Sequence, residues 1–221
     1  MRTSVSAVVL TAALSLSLTA CGSNNTKSAT NGANTKADVK PVAALTNLTG
    51  ESTAVKLDPM FVAGITSLKL TPGVVGTAKL TDGSLIFPIT GGTATYYTPG
   101  SRTPYVESKI MHDGSGFSLT DGKTKVELTN FVVDAGTSTL TGDVSANGAS
   151  VVKGAKLFFL DGRTLKPLDT TSEAGKGILA GTKVELTKDA ADLLNKTYKV
   201  TALKPFFPVG VAKITLALPA K

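Results

Sequence analysis

The chain has 221 residues, 42% apolar and 5% aromatic, with one cysteine, one histidine and no tryptophan. Its formal charge is +7, carried mostly by single lysines without an arginine cluster, so phosphate clamping and base readout of nucleic acid are not expected. One thiol excludes a disulfide within the chain, and one histidine excludes a His-rich metal centre.

The N-terminus reads as an export signal. Arg2 supplies the positive end, and Val5 to Leu18 is apolar but for Ser and Thr. That run is shorter than the roughly 20 residues a spanning helix needs. Leu18-Thr19-Ala20-Cys21 follows, with small residues ahead of the cysteine. It resembles the lipobox of bacterial lipoproteins, which implies cleavage before Cys21 and a lipidated thiol bearing palmitate-type chains. An ordinary signal peptide followed by an unrelated cysteine is the plainer alternative. The lipoprotein reading places the protein outside the cell, held by its lipid on the outer face of the cell membrane, or on the outer membrane of a two-membrane cell. Cutting away residues 1–20 removes Arg2 and no acid, leaving +6. Anionic headgroups suit that diffuse field, with a solubilising surface as the bland alternative.

Residues 21–50 are rich in Asn, Thr, Ser, Gly, Ala and Lys, with no aromatic residue. Such a segment buries too little apolar surface to offset its ordering entropy. It is expected to be a flexible tether with a reach of roughly 30 Å.

Residues 51–221 form the expected domain, and its pattern is β. Asp-Gly occurs at 82–83, 113–114, 121–122 and 161–162, and Asn-Gly at 147–148. These dipeptides are hairpin signals because both residues tolerate positive φ. Strand-like runs lie between them, at 74–80, 85–90, 93–98, 105–111, 123–133, 139–145, 155–160, 182–187 and 209–218. Lys-Val-Glu-Leu-Thr alternates as a strand with one wet face does. Two short helices interrupt. In the first, Asp58 caps, Pro59 opens, and Phe61, Ile65 and Leu68 share a face. In the second, Thr187 caps, and Ala190, Leu194 and Tyr198 align. Both helices lie between similar strands, and Thr-Lys-Val-Glu-Leu-Thr occurs at 124–129 and 182–187. The two ends can be read as equivalent strand–helix–strand units or as convergent use of common β residues. The expected fold is mainly β, an antiparallel two-sheet β-sandwich with two short helices.

Catalytic motifs are scarce. Gly-x-Ser-x-Gly does not occur, and Asp113-Gly114-Ser115-Gly116 lacks the alternating acids of a calcium loop. Carboxylates that meet only in space, as in a glycosidase, stay open as an enzymatic alternative. The reading is a protein that is not an enzyme. The side chains that stand out are Tyr96, Tyr97, Tyr105, His112, Tyr198, Phe206 and Phe207, since Tyr and His are ligand types of protein haem sites. Each also has a bland role: His112 as a solvated turn residue, Tyr198 as a core tyrosine, Tyr96 and Tyr97 as cross-strand packing.

The run Phe87-Pro88-Ile89-Thr90-Gly91-Gly92, then Ser108-Lys109-Ile110-Met111-His112-Asp113-Gly114, resembles the HtaA-type haem-binding domains of actinobacterial surface haem-uptake proteins. Leu140-Thr141-Gly142-Asp143-Val144 and the closing stretch from Val184 through Tyr198 to Leu216 are also similar. The resemblance spans residues 51–218. It implies a β-sandwich with short helices that holds haem between a helix tyrosine and nearby aromatic and histidine residues. His112 matches the family's turn histidine and Tyr198 its C-terminal helix aromatic. Met111 stands where glycine is usual, and the first helix lacks the family's tyrosine and tryptophan.

Together these readings describe a lipid-anchored cell-envelope protein that binds haem or another flat apolar ligand. His112 and Tyr198 would supply polar contacts and Phe61 and Phe206 apolar walls, with Tyr97 as a further candidate ligand-binding residue. A structural or adhesive envelope lipoprotein without a small-molecule site is the competing class.

Overall fold

The computed structural model describes residues 39–48 and 50–219. The signal segment, Cys21 and most of the expected tether lie outside the described residues. The last part of that tether segment is ordered. Ala43–Leu45 forms strand β1, and Leu48 is buried. The three residues of β1 have no sequence pattern of their own. They are held by an exposed partner edge, with Ala43 opposite Tyr96.

The remaining elements follow the turn signals. They are β2 (Ser52–Leu57), α1 (Pro59–Ser67), β3 (Thr71–Gly76), β4 (Lys79–Thr81), β5 (Ser84–Pro88), β6 (Gly91–Tyr96) and β7 (Val106–Thr120). Then come β8 (Lys125–Asp134), β9 (Thr139–Ala146), β10 (Ala149–Asp161), β11 (Lys176–Leu186), α2 (Lys188–Tyr198) and β12 (Pro208–Ala217). Asp82-Gly83 and Asn147-Gly148 take positive φ at both positions and close two-residue hairpins between β4 and β5 and between β9 and β10. Both helices start where their caps predict. Asp58 Oδ1 accepts from Met60 N at 2.8 Å, and Thr187 Oγ1 from Ala190 N at 3.1 Å.

The strands form one antiparallel sheet rather than two facing ones. Its order is β1-β6-β7-β8-β9-β10-β11-β12-β2-β5-β4, with β3 added to β7. The sheet curls into a half-barrel. The physical cause is a set of bulges: register shifts interrupt β7/β8, β8/β9, β9/β10 and β11/β12. Each bulge bends its strand and adds twist, so a single sheet wraps its own apolar face. A strand with one wet face reads the same whether it faces a second sheet or the far wall of a curled one, which is why alternation suggested a sandwich.

Asp113-Gly114 is one of these bulges and not a hairpin turn. It lies within the 15 residues of β7, at the register break between His112 and Gly116. Before the break β7 pairs with β6, and after it with β3, while β8 runs along both halves. Gly114 supplies the positive φ of 69° that the bulge requires. Gly76 allows β3 to approach, since a Cβ there would sit 1.9 Å from Gly114 O.

The two strand–helix–strand ends are not equivalent. β12 returns after α2 to pair with β11, and also joins β2. β3 leaves β2 after α1 and pairs with β7. Inside the curl, Phe87, Phe117, Phe131 and Phe158 pack ring against ring at centroid distances of 5.2 to 6.4 Å. These aromatic contacts fix the deep part of the core.

Candidate ligand-binding cavity

Inward-facing positions follow directly from strand alternation. On β7 they are Val106, Ser108, Ile110 and His112, and on β2 Thr53, Val55 and Leu57, all buried. Above the phenylalanine cluster these walls do not meet, and they enclose a cavity of about 460 Å³. That volume lies within the roughly 300–1,000 Å³ of small-molecule sites. Val55, Ala212 and Ile214 form one wall, Val106, Val133 and Leu140 another, and Leu160, Leu179 and Val184 a third. The surface offered is mainly aliphatic.

Two loops complete the lining, through Thr103 to Tyr105 and Asp161 to Leu165. Tyr105 ties them together: its hydroxyl donates to Leu165 O at 3.1 Å. Burial and then neighbouring Tyr96 push the Tyr105 phenol above its usual pKa, so it stays protonated and donating at neutral pH. Tyr96 packs edge-on against Tyr105 at 6.0 Å and accepts from Leu168 N at 3.1 Å. Beside them Arg163 donates from Nε and Nη2 to the two Asp161 oxygens at 2.8 and 2.9 Å. This pairing holds the Asp161 carboxyl below its usual range.

Beneath the cavity lies a smaller void of about 30 Å³, lined by His112 and the phenylalanine cluster. Thr53, Val55, Val133, Leu140 and Val184 line both spaces and form the partition. His112 is 1% exposed, so it is a core residue and not a solvated turn histidine. Its Nδ1 lies 2.9 Å from Pro88 O, which can only accept, so Nδ1 carries the proton. Its Nε2 lies 3.2 Å from Thr53 Oγ1. Burial lowers the pKa of the ring, against smaller opposing effects of Pro88 O and Asp113. The neutral ring therefore accepts the Thr53 proton at Nε2. Both nitrogens are spent on the fold.

The other residues singled out from sequence are dispersed. Tyr198, at the end of α2, donates to Leu119 O at 2.6 Å, and burial pushes its phenol up to about 12. Tyr97 is buried under the Arg102 guanidinium, 4.3 Å above its ring. Phe61 is buried in α1 beside Phe207. Phe206 is 63% exposed and meets Phe159 edge-on at 5.8 Å. Neither these four nor His112 is among the cavity-lining residues, although Thr53 on His112 and Phe159 on Phe206 are. Tyr105, one of the side chains that stood out in the sequence, does line the cavity, whereas Ser108 and Arg163 line it and carry no motif. Ser108 and Thr53 could be found only by following alternation inward from the buried Ile110 and Val55.

No family model matches the sequence, and no curated protein matches it. Among solved structures, the C-terminal domain of HtaA from Corynebacterium glutamicum is similar over 78% of this chain and 99% of that domain, with 13% identity and a TM-score of 0.53. The chain has the HtaA C-terminal domain fold. The haem-binding protein HtaB from the same organism is similar over 79% of this chain and 96% of that one, with 12% identity and a TM-score of 0.48. In the HtaA-type fold of this chain, the apolar cavity sits inside the curled sheet. The lining includes one side chain of a haem-ligating type, Tyr105, whose hydroxyl is engaged by Leu165.

Proposed function

We propose that this is an exported, lipid-anchored binding protein that takes a flat apolar ligand into the cavity of its curled sheet. The observation that carries the reading is the cavity of about 460 Å³ with aliphatic walls and a tyrosine-tied rim. Burial of an apolar ligand there gains roughly 25 cal/mol per Å² of surface removed from water. The mainly aliphatic lining supports holding over transforming. Cys21 behind a short signal segment would supply the membrane anchor and the envelope location.

Haem is the sharper version of the ligand, supported by the sequence resemblance and by the HtaA-type fold. The lining suits the apolar body of a porphyrin. It does not suit ligated iron: among the described residues no imidazole, thiol or thioether lines the cavity, and the one phenol is donated to Leu165. The reading therefore stands on the apolar body and not on the metal.

Titration of the full chain with haemin and with naphthalene-type fluorophores tests both versions. Saturable fluorophore binding with an unshifted haemin Soret band assigns an iron-free ligand. A shifted, saturable Soret band lost in Tyr105→Phe assigns haem. Binding of neither sinks the proposal.

A further inference from the structure

Inside a mostly aliphatic cavity each polar group has to be accounted for, because an unpaired one is costly to desolvate. Thr53 gives its proton to His112, Tyr105 gives its own to Leu165, and Asp161 is closed by Arg163. The hydroxyls of Thr103, Ser138 and Thr182 also line the cavity, but these residues are exposed or half-buried, so water reaches them. Ser108 is different. It is 8% exposed on the inward row of β7, it lines the cavity, and its hydroxyl makes no hydrogen bond among the described residues. No fully enclosed side-chain nitrogen or oxygen among the described residues lacks a partner. The Ser108 hydroxyl is therefore not sealed in packing, and the space open to it is the cavity.

Resting on the cavity reading above, we propose that Ser108 is the orienting residue of the site, and that the ligand is a neutral apolar molecule with one hydroxyl or carbonyl group directed at β7. A serine hydroxyl donates one hydrogen bond and accepts others, so either group satisfies it. Neutrality follows from the lining. Among the described residues Arg163 is its one cationic side chain; its Nε and Nη2 pair with Asp161, and the side chain is 87% exposed, so its charge stays in solvent and not among the aliphatic walls. A charged head group drawn inside would stay unpaired, at a cost well above that of one hydrogen bond. The position of Ser108 is also fixed from outside the cavity. Its carbonyl accepts from Ala135 N at 3.2 Å, and it lies opposite Ala94 of β6. The hydroxyl is thus presented from a strand paired on both sides, which limits its motion to rotation about χ1.

The test uses a shape-matched pair, 2-naphthol and 2-methylnaphthalene, titrated into the full chain and its variants. Ser108→Ala is expected to weaken 2-naphthol by about three- to tenfold, the worth of one hydrogen bond. The same variant leaves 2-methylnaphthalene affinity unchanged, which also reports that the cavity is intact. Ser108→Thr, which keeps the hydroxyl, keeps the preference for 2-naphthol. An equal loss for both probes in Ser108→Ala, or no loss for 2-naphthol, overturns the assignment of Ser108 while the cavity reading stands. Failure of both probes to bind the wild-type chain overturns this inference, and where haemin also fails to bind, the cavity reading with it.

Discussion

Tyr105 and Leu165, sixty positions apart in the chain, are joined by a hydrogen bond from the phenol to the backbone carbonyl. The bond ties the loop before β7 to the segment after β10, and both loops line the cavity. Tyr96, one strand over, holds the same segment at Leu168. Two tyrosines that pack edge-on against each other thus hold one stretch of irregular chain to the sheet. The sheet sets the shape of the site, and the tyrosines fix the loops that complete its lining.

Removing these hydroxyls should therefore loosen the segment without unfolding the sheet. Tyr96→Phe should speed hydrogen exchange at the Leu168 amide, because that donor loses its partner. Tyr105→Phe should cost about 1 kcal/mol of global stability, as one net hydrogen bond does. Exchange across β8 and β9 should stay unchanged in both variants. Faster exchange spread evenly over the sheet would show that the tyrosines act on the core and not on the rim.

His112 makes stability depend on pH in one direction. Its folded-state pKa is lowered below the ordinary 6.5, so the unfolded chain binds the proton first as pH falls. Stability is then full above about 6.5 and declines below it, with a slope of at most about 1.4 kcal/mol per pH unit for one proton. Since this is the one histidine of the chain, His112→Gln should flatten melting temperature between pH 8 and 5. An unchanged slope in that variant would assign the dependence to other groups.

Local chemistry was legible in the sequence wherever one short segment determines its own shape. Asp58-Pro59 and Thr187 open helices, and Asp82-Gly83 and Asn147-Gly148 close hairpins, because capping and positive φ act over a few residues. Asp113-Gly114 misled for the same reason: the pair suits a bulge as well as a turn, and the neighbours that decide between them are β3, β6 and β8. The cavity was not legible. Haem-type ligands drew attention to His112 and Tyr198, yet both are consumed by backbone and core partners. The walls are ordinary Val, Leu and Ala, and their enclosing a space depends on which distant strands curl together.

The bulge itself can be tested by ranking two glycines. Gly114 has a positive φ, but a methyl added there would meet nothing within 4 Å, so Gly114→Ala should cost only the conformational strain of about 1–2 kcal/mol. Gly76→Ala would drive a methyl to 1.9 Å from Gly114 O and must displace β3 from β7. Urea melts should place Gly76→Ala well below Gly114→Ala in midpoint. The reverse order would mean that β3 is not held against the bulge.

Filling the cavity should separate a real space from a packed core by the sign of the effect. Ala212 is buried on β12 and lines the cavity. In close-packed surroundings Ala212→Leu would cost about 1–3 kcal/mol through overpacking. With the cavity open beside it, the added methylenes enter empty apolar space, each worth up to about 0.8 kcal/mol when buried. The variant should therefore be as stable as the wild type or more so, and should lose affinity for naphthalene-type probes because it occupies their volume. Thermal melts and probe titration on the same preparation check both halves. A marked loss of stability would mean that the walls at β12 are in contact and that no ligand enters there.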